Sequence, residues 1–181
     1  MKHLTVKEKE IEVFEKMKTS FHYKNIMAAP KMQKIVLNVG TGTVIKKDKN
    51  KNDAISLRLA KITGQKPVTR GAKQSIASFK TRAGDPIGVV VTLRGKRMYA
   101  FLEKLINVAL PRTKDFRGIS LSSVDNIGNL TIGIKEHTIF PETADEDIKD
   151  VFGMSVTLVS TAKDKKEGVA FFKLLGIPFK K

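Results

Sequence analysis

A strongly basic stretch surrounds a short apolar run near the middle of the chain, and it constrains the fold more than any other feature. Residues 64–97 read GQKPVTRGAKQSIASFKTRAGDPIGVVVTLRGKR and carry eight Lys or Arg against one acid, Asp85. The cations are interspersed with Gly, Ser, Thr and Gln, and Ile87–Leu93 has the composition of a strand. The pattern therefore predicts a folded basic surface, with a loop, that holds a polyanion.

The net charge is concentrated in the middle third of the 181 residues. Residues 1–53 carry a formal charge of +6, residues 54–118 carry +11 and residues 119–181 carry −1, which makes +16 in total. A folded protein with such a charge most often binds nucleic acid, because neutralising phosphates releases condensed counterions. The near-neutral part, residues 119–181, is predicted to face protein partners.

Several classes of protein are disfavoured by what the sequence lacks. No stretch approaches the ~18 uncharged apolar residues of a spanning helix, and residues 1–17 mix acids and bases without the apolar core of a signal peptide. A cytoplasmic location without a membrane partner is therefore expected. The absence of cysteine excludes disulfides, thiol catalysis and cysteine-based zinc sites.

The polar residues offer no catalytic or metal-binding set. The three histidines, His3, His22 and His137, lack a metal-binding spacing and are expected to be solvated or to cap other elements. The acidic residues at 145–150 lack the alternating ligands and the central glycine of a calcium loop. No Ser-His-Asp order or carboxylate pair stands out, so the chain is predicted to be no enzyme and to need no cofactor or metal.

Two glycines follow the first predicted strand, in Gly40-Thr41-Gly42. This segment lacks the third glycine and the Gly-Lys-Ser/Thr ending of nucleotide-binding loops, so it is interpreted as a turn that lets the backbone approach a polyanion. The basic stretch has only Phe79 and Tyr99 as aromatic neighbours and no RRM signature. Contacts to phosphates and 2′-hydroxyls of folded RNA are therefore predicted, rather than stacking on exposed bases as the leading mode.

Hydrophobic periodicity and capping residues predict the order of helices and strands. Thr5 and Glu8 form a capping box for the first helix, and Asp53 is expected to cap the second. Helices are predicted over 4–21 (with Ile11, Phe14, Met17 and Phe21 on the apolar side), 54–63, 97–110 and 165–175, and strands over 34–39, 65–68, 76–81, 87–94, 120–124, 129–134 and 154–161. The order predicts one α+β domain over 1–181, with helices packed on one face of a mainly antiparallel sheet and a flexible basic loop over 70–82.

Six segments in the same order resemble one known family. They are KIVLNVGTG at 34–42, ITGQKP at 62–67, KQSIASFKTRAGDPIGVVVTLRGKRM at 73–98, LPRTKDFRGI at 110–119, IFPE at 139–142 and GIPFKK at 176–181. The chain resembles the universal large-subunit ribosomal protein five family of bacterial type, the 5S rRNA binders. The resemblance covers essentially the whole chain; the segment KKDKNKNDA at 46–54 departs from it, since relatives often place apolar residues there.

The resemblance implies a curved antiparallel sheet that carries 5S rRNA in the central protuberance of the large subunit. It implies a second contact, to the elbow of P-site tRNA, and an intersubunit bridge to a small-subunit head protein. The residues implied are Asn38, Gly40, Gly42, Gln65, Lys66, Thr92, Arg94 and Gly95 for 5S rRNA, then Arg70, Lys73, Gln74, Ser75, Lys80 and Arg82 for tRNA, and Arg112, Asp115 and Arg117 for the bridge. Further expected partners are 23S rRNA and neighbouring central-protuberance proteins; the alternative is a general RNA-binding or RNA-chaperone protein acting off the ribosome.

Overall fold

The computed structural model describes residues 5–42, 51–143 and 151–180. The helices in these ranges are α1 Val6–Phe21, α2 Lys51–Thr63, α3 Gly95–Lys104 and α4 Lys165–Leu175. The strands are β1 Met32–Gly40, β2 Val68–Gly71, β3 Pro86–Leu93, β4 Leu130–Ile134 and β5 Met154–Ser160. One π-type turn, Leu105–Ala109, continues α3, and short 3₁₀ turns link the other elements.

The strands form one antiparallel sheet in the order β2-β3-β1-β5-β4. Val68 of β2 pairs with Val90 of β3, and the register shifts after Arg70. The hydroxyl of Thr131 in β4 lies 3.1 Å from the hydroxyl of Thr157 in β5. The predicted α+β class with a mainly antiparallel sheet is confirmed.

Side chains along each long strand alternate between buried and more open positions. In β1, Ile35, Leu37 and Val39 are buried while Asn38 is exposed. Strands β3, β4 and β5 repeat this alternation. Because successive side chains of a strand point to opposite faces, a core covers one face and leaves the polar side chains on the other.

The chain divides into two compact units, and each unit contains part of the strands. The first contains the described parts of Met1–Ile35, Leu93–Ile132 and Thr157–Lys181, and the second contains those of Val36–Thr92 and Gly133–Val156. In the first unit, α1 packs on α3 and α4. In the second unit, α2 packs near the 3₁₀ turn Pro141–Thr143.

Helix α1 begins where the sequence predicts, at the capping box. The backbone N–H of Thr5 donates to Oε2 of Glu8 at 2.7 Å, and the N–H of Glu8 donates to Oγ1 of Thr5 at 3.3 Å. The bond from the Thr5 backbone, followed by the one from its hydroxyl, holds the pKa of the Glu8 carboxyl below its usual value. The predicted apolar side is wrong at one position, because Ile11 is 67% exposed while Val13 is buried.

Two tyrosine–carboxylate contacts join distant segments of the first unit. The Tyr99 hydroxyl donates to Glu10, whose other oxygen accepts from the N–H of Met32 at 2.8 Å. The Tyr23 hydroxyl donates to the buried Glu167. Burial, followed by the carboxylate contact, raises the pKa of each tyrosine. Both carboxylates thus bond to partners far away in the sequence.

Several predicted boundaries are wrong. Helix α2 starts at Lys51, so Asp53 lies in its first turn instead of capping it; carboxylates favour both positions at a helix start. The strand expected over 65–68 begins only at Val68, and the flexible loop expected over 70–82 therefore starts inside β2. The segments 76–81 and 120–124 contain 3₁₀ turns instead of strands. The first is closed by a single bridge between Ile76 and Thr81, and in the second Val124 forms a single bridge to Leu130 of β4.

The expectation that the histidines are solvated or capping holds for His22, which is the exposed C-cap of α1. It is wrong for His137, which is fully buried. Its ring stacks on Phe152 with centroids 4.1 Å apart, and its Nδ1 accepts from the N–H of Phe152 at 3.3 Å. His3, the acidic residues 145–150 and most of the 46–54 segment lie outside the described residues.

We predict that Gly168→Ala destabilises the protein, although alanine normally favours a helix over glycine by ~1 kcal/mol. A Cβ at Gly168 of α4 would lie 2.7 Å from Cα of Gly128, which itself has a positive φ of 76°. Neither backbone can yield without moving the turn, so the expected loss is ~1–3 kcal/mol of unfolding free energy. Thermal unfolding measures it, with Gly133→Ala as the control, since nothing lies within 4 Å of that Cβ. Equal stability of the two variants would contradict the close packing.

Candidate nucleic-acid interface

An open groove of about 970 Å³ lies in the second unit, beside the more open face of β1 and β3. The end of β1 forms one side, with Asn38, Gly40 and Gly42. Strand β2 and the segment after it form the other side, and β3 contributes Ile87, Gly88 and Val90. The lining residues from the second side are Arg70, Gly71, Ala72, Lys73, Gln74, Ile76, Phe79 and Thr81. The groove therefore joins the first strand to residues far along the sequence.

Five exposed cations that the sequence predicts to bind RNA belong to the same unit, namely Lys66, Arg70, Lys73, Lys80 and Arg82. Among the described residues, none of the five forms an ion pair with a carboxylate. The nearby acid Asp85 accepts from the backbone N–H of Arg82 at 2.7 Å and so closes a turn. Because these cations have no carboxylate partner in the part of the chain that the structure describes, an approaching polyanion can neutralise them without breaking an ion pair there.

The glycines near the groove matter because they lack a side chain, and not because they adopt an unusual backbone conformation. Gly40 and Gly42 have no positive φ, so any residue could adopt their backbone conformation. Gly40 has nothing within 4 Å of its Cβ direction, whereas a Cβ at Gly88 would lie 3.3 Å from the carbonyl oxygen of Val39 and 3.9 Å from Oδ1 of Asn38. The glycines leave room beside the Asn38 amide. The close approach of a polyanion to the backbone at Gly40-Thr41-Gly42 stays a prediction.

Two other predicted RNA-binding residues are connected directly. The side-chain nitrogen of Gln65 donates to the carbonyl oxygen of Thr92 at 3.2 Å. This bond fixes the segment after α2 against β3, next to the exposed Lys66. Arg94 and Gly95 lie at the start of α3 and belong to the first unit, where Gly95 has a positive φ of 59°. The other predicted 5S rRNA residues all belong to the second unit.

The predicted tRNA loop is a hydrogen-bonded hairpin tip. The N–H of Ala72 donates to the carbonyl of Asp85 at 2.8 Å, which extends the pairing of β2 with β3. Further out, Ile76 and Thr81 exchange backbone bonds at 3.0 and 3.3 Å, and Oγ of Ser75 accepts from the N–H of Ala83 at 2.9 Å. The tip residue Lys80 takes the left-handed conformation, with φ 48°. These bonds order the backbone that carries the exposed loop cations.

The groove brings together residues that the sequence assigned to separate RNA partners. Asn38, Gly40 and Gly42 lie on its β1 side, and Arg70, Lys73 and Gln74 lie on its other side. Ser75, Lys80 and Arg82 belong to the same loop but do not line the groove. Sequence reasoning missed Ile76 and Phe79 as lining residues, because it interpreted 76–81 as a strand; their apolar character within a basic loop was the available signal.

The predicted bridge residues Arg112, Asp115 and Arg117 are exposed and lie in an irregular loop of the first unit. Asp115 has a positive φ of 53°. The end of the chain holds this loop: the N–H of Ile119 donates to the carbonyl of Pro178 at 2.8 Å, and the N–H of Lys180 donates to the carbonyl of Ile119 at 2.9 Å. The backbone of the C-terminal segment thus orders the base of the loop.

Two negative findings apply to the described ranges 5–42, 51–143 and 151–180. No helix there is long and apolar enough to cross a membrane. No group of three or more His, Asp or Glu side chains there is arranged to hold a metal ion.

Models of one protein family match most of the chain. A model described as ribosomal protein L5 matches residues 25–82, and a model of the C-terminal part of the same ribosomal family matches residues 86–179. The first match includes β1 and the hairpin tip that follows β2. The second includes the loop with the predicted bridge residues and Pro178, which accepts a hydrogen bond at the base of that loop.

Individual relatives match this chain over almost their whole length. The large ribosomal subunit protein uL5 of Desulforamulus reducens is 51% identical over 170 residues, which are 94% of this chain and 93% of the relative. The protein of the same name from Trichlorobacter lovleyi is 50% identical over 169 residues, 93% and 94% of the two chains. That of Mycoplasma capricolum is 50% identical over 178 residues, 98% of each.

We predict that Gly118→Val releases the C-terminal segment from the loop base without unfolding the sheet. A Cβ at Gly118 would lie 2.8 Å from the backbone nitrogen of Lys180, and its φ of 93° is unfavourable for valine. Hydrogen exchange should show faster exchange at the N–H groups of Ile119 and Lys180, with β3 unaffected. Gly133→Val, at an exposed strand position with open space around its Cβ, is the control. Unchanged exchange at the N–H groups of Ile119 and Lys180 in Gly118→Val would contradict the role of the C-terminal segment in holding the loop base.

Proposed function

Because the chain belongs to the ribosomal protein L5 family, a structural and non-enzymatic component of the large ribosomal subunit, we propose that it binds 5S rRNA and helps to attach it in the central protuberance. We propose two further contacts, to P-site tRNA and to a small-subunit head protein. Family membership makes the large subunit of the cytoplasmic ribosome its location. Membership also bears out the prediction that the chain is no enzyme.

The observation that carries the 5S rRNA proposal is the open, cationic side of the second unit. Asn38, Gln65 and Thr92 present amide and hydroxyl groups there, and each can donate and accept at a 2′-hydroxyl. Lys66 and Arg70 supply positive charge for phosphates. The core under β1 and β3 holds Asn38 and Thr92 on strands, and the bond from Gln65 to Thr92 ties the segment with Gln65 and Lys66 to β3. An RNA of fixed shape would therefore meet a preformed surface. We also propose Arg94 and Gly95, at the start of α3 in the first unit, as 5S rRNA-binding residues.

The tRNA proposal rests on the hairpin tip. Lys73, Lys80 and Arg82 are exposed and lack ion pairs among the described residues, and Gln74 and Ser75 lie between them in the sequence. A narrow tip held by backbone hydrogen bonds can reach a second RNA while the strands bind the first. Long lysine side chains can follow a phosphate backbone that moves.

The bridge proposal rests on the exposed loop with Arg112, Asp115 and Arg117. Its mixed charges suit a protein surface with complementary charge better than a phosphate backbone. The near-neutral residues 119–181 are proposed to face protein neighbours in the central protuberance, and the remaining cations to contact 23S rRNA.

We predict that Asn38→Ala and Thr92→Ala each weaken 5S rRNA binding while the protein stays folded. Each substitution removes one polar group at the surface, which is worth ~1 kcal/mol or roughly fivefold in Kd. Filter binding at fixed salt measures the effect, with an unrelated RNA of equal length for comparison. Asn126→Ala, at an exposed turn of the first unit, is the matched control. Wild-type affinity in both folded variants would place 5S rRNA on another face.

We predict that neutralising Lys73 and Lys80 together spares 5S rRNA binding and weakens the P-site tRNA contact. Each tip cation that contacts a phosphate adds about one unit to the slope of the logarithm of the binding constant against the logarithm of the salt concentration. The effect appears for whichever RNA the tip contacts. Binding of tRNA to ribosomes carrying Lys73→Ala/Lys80→Ala is compared with ribosomes carrying Lys163→Ala/Lys166→Ala, another exposed pair. A large loss of 5S rRNA affinity would assign the tip to 5S rRNA instead.

A further inference from the structure

We propose that the first unit carries a docking groove for an amphipathic helix of another protein, one whose apolar face is flanked by acidic side chains. The groove lies between α1 and the 3₁₀ turn Ile26–Ala28, encloses about 300 Å³ and is lined only by residues of the first unit. The lining residues that carry the proposal are Lys7, Ile11 and Phe14 of α1, then Ile26, Met27 and Lys31 on the other side. This docking groove does not depend on the 5S rRNA contact proposed above.

Large apolar side chains of the docking groove are open to solvent. Ile11 is 67% exposed, Ile26 is 56% exposed and Met27 is 71% exposed. Helix α1 already buries a separate apolar side, which includes Val13, in the core. Exposed large apolar side chains that converge on one concavity indicate a binding site, because a monomer otherwise buries or scatters them.

The side of the docking groove on α1 has the pattern of a helix-binding surface. Lys7, Ile11, Phe14 and Lys18 recur at i, i+4, i+7 and i+11, which places them along one stripe of the helix. The Lys18 ammonium lies 5.4 Å from the centre of the Phe14 ring. A partner helix laid along this stripe meets apolar side chains at its centre and a cation near each end, in the manner of helices that dock through i, i+4 and i+7 anchors.

Charge complementarity indicates acidic flanks on the partner helix. Lys7 and Lys31 are exposed and have no carboxylate partner among the described residues. The ammonium of Lys31 lies 3.3 Å from Sδ of Met27, which is only a weak acceptor. The acid that lines the groove, Glu10, already accepts from a tyrosine hydroxyl and from a backbone N–H. Carboxylates of a partner would therefore meet two available cations.

The charge of the helices favours another protein over an RNA or a second copy of this chain. Helix α1 has four Lys and four Glu, so a phosphate backbone would meet as many anions as cations there. The helices α2, α3 and α4 each carry three cations against one acid. None of the four described helices is thus net acidic, and a second copy offers no complementary helix from those ranges.

The first experiment uses three fluorescently labelled synthetic helical peptides and the full-length protein. The first has leucine at i, i+3, i+4 and i+7 with glutamate on both flanks, the second has lysine on the flanks, and the third is the first with alanine in place of leucine. Binding is measured by fluorescence anisotropy at fixed salt. We expect the first peptide to bind at least about tenfold more tightly than either of the others, since burying one leucine side chain is worth about that much. Equal binding of the two acidic peptides, or tighter binding of the basic one, would overturn the proposal.

Variants on the two sides of the docking groove locate the binding site. Ile11→Gln and Met27→Gln remove an exposed apolar side chain without changing the charge, and each should weaken binding of the acidic leucine peptide about fivefold or more. Leu57→Gln is the matched control, because Leu57 is also 67% exposed on a helix but does not line this groove. Thermal unfolding verifies that the variants fold. Undiminished binding by folded Ile11→Gln/Met27→Gln would contradict the docking groove.

A charge reversal tests the acidic character of the partner. Lys7→Glu/Lys31→Glu should bind the basic leucine peptide more tightly than the acidic one, which reverses the wild-type order. Lys163→Glu/Lys166→Glu, which changes the protein by the same charge at an exposed pair outside the groove, should keep the wild-type order. An unchanged order in folded Lys7→Glu/Lys31→Glu would overturn the acidic partner.

Two further measurements separate a protein partner from the other occupants. Ile11→Gln/Met27→Gln should bind 5S rRNA like the wild type, and a selective loss of that affinity would assign the docking groove to RNA and overturn the proposal. Sedimentation of the wild type should show a monomer. A concentration-dependent dimer that disappears in Ile11→Gln/Met27→Gln would assign the groove to a second copy and overturn the proposal as well.

Discussion

The features of the proposed RNA-binding side depend on one constraint, the one-sided burial of an antiparallel sheet. Along β1, the buried Ile35, Leu37 and Val39 fix the direction of the intervening residues, so Asn38 has to point away from the core. The same alternation fixes Thr92 between Val91 and Leu93 in β3. A slip of one residue would bury the amide and the hydroxyl and expose the apolar set. Hydrophobic packing on one face therefore positions the polar groups on the other.

Electrostatics and sterics then act on the surface that packing leaves open. The cations near the groove have no carboxylate partners among the described residues, and the nearby Asp85 is occupied by a turn. Glycines at 40, 42 and 88 leave space where side chains would otherwise stand. Apolar groups on Ile76 and Phe79 border that space. Such a surface can attract phosphates over a distance and select a particular RNA shape at contact.

Several elements could be predicted from the sequence because their signals are local. The capping box at Thr5 and Glu8 fixes the start of α1, and the alternation around Asn38 fixes the orientation of β1. The predicted strand over 76–81 was wrong because its apolar and polar alternation imitates a strand. The segment closes on itself at Ile76 and Thr81, while the partner of β3 is the polar-looking Val68–Gly71. Strand pairing is a contact between segments, and no single segment encodes it.

The sequence by itself determined the class of the protein: its periodicities predict an α+β fold, its charge predicts a nucleic-acid partner, and its ordered segments resemble one family. Only the tertiary structure decided which residues meet. It placed Asn38 and Gly40 across one groove from Arg70 and Lys73, buried His137 against Phe152, and brought the C-terminal segment to the base of the loop with the predicted bridge residues. The physical reason is that composition and periodicity are properties of neighbouring residues, whereas a site arises from burial and pairing between residues far apart in the chain.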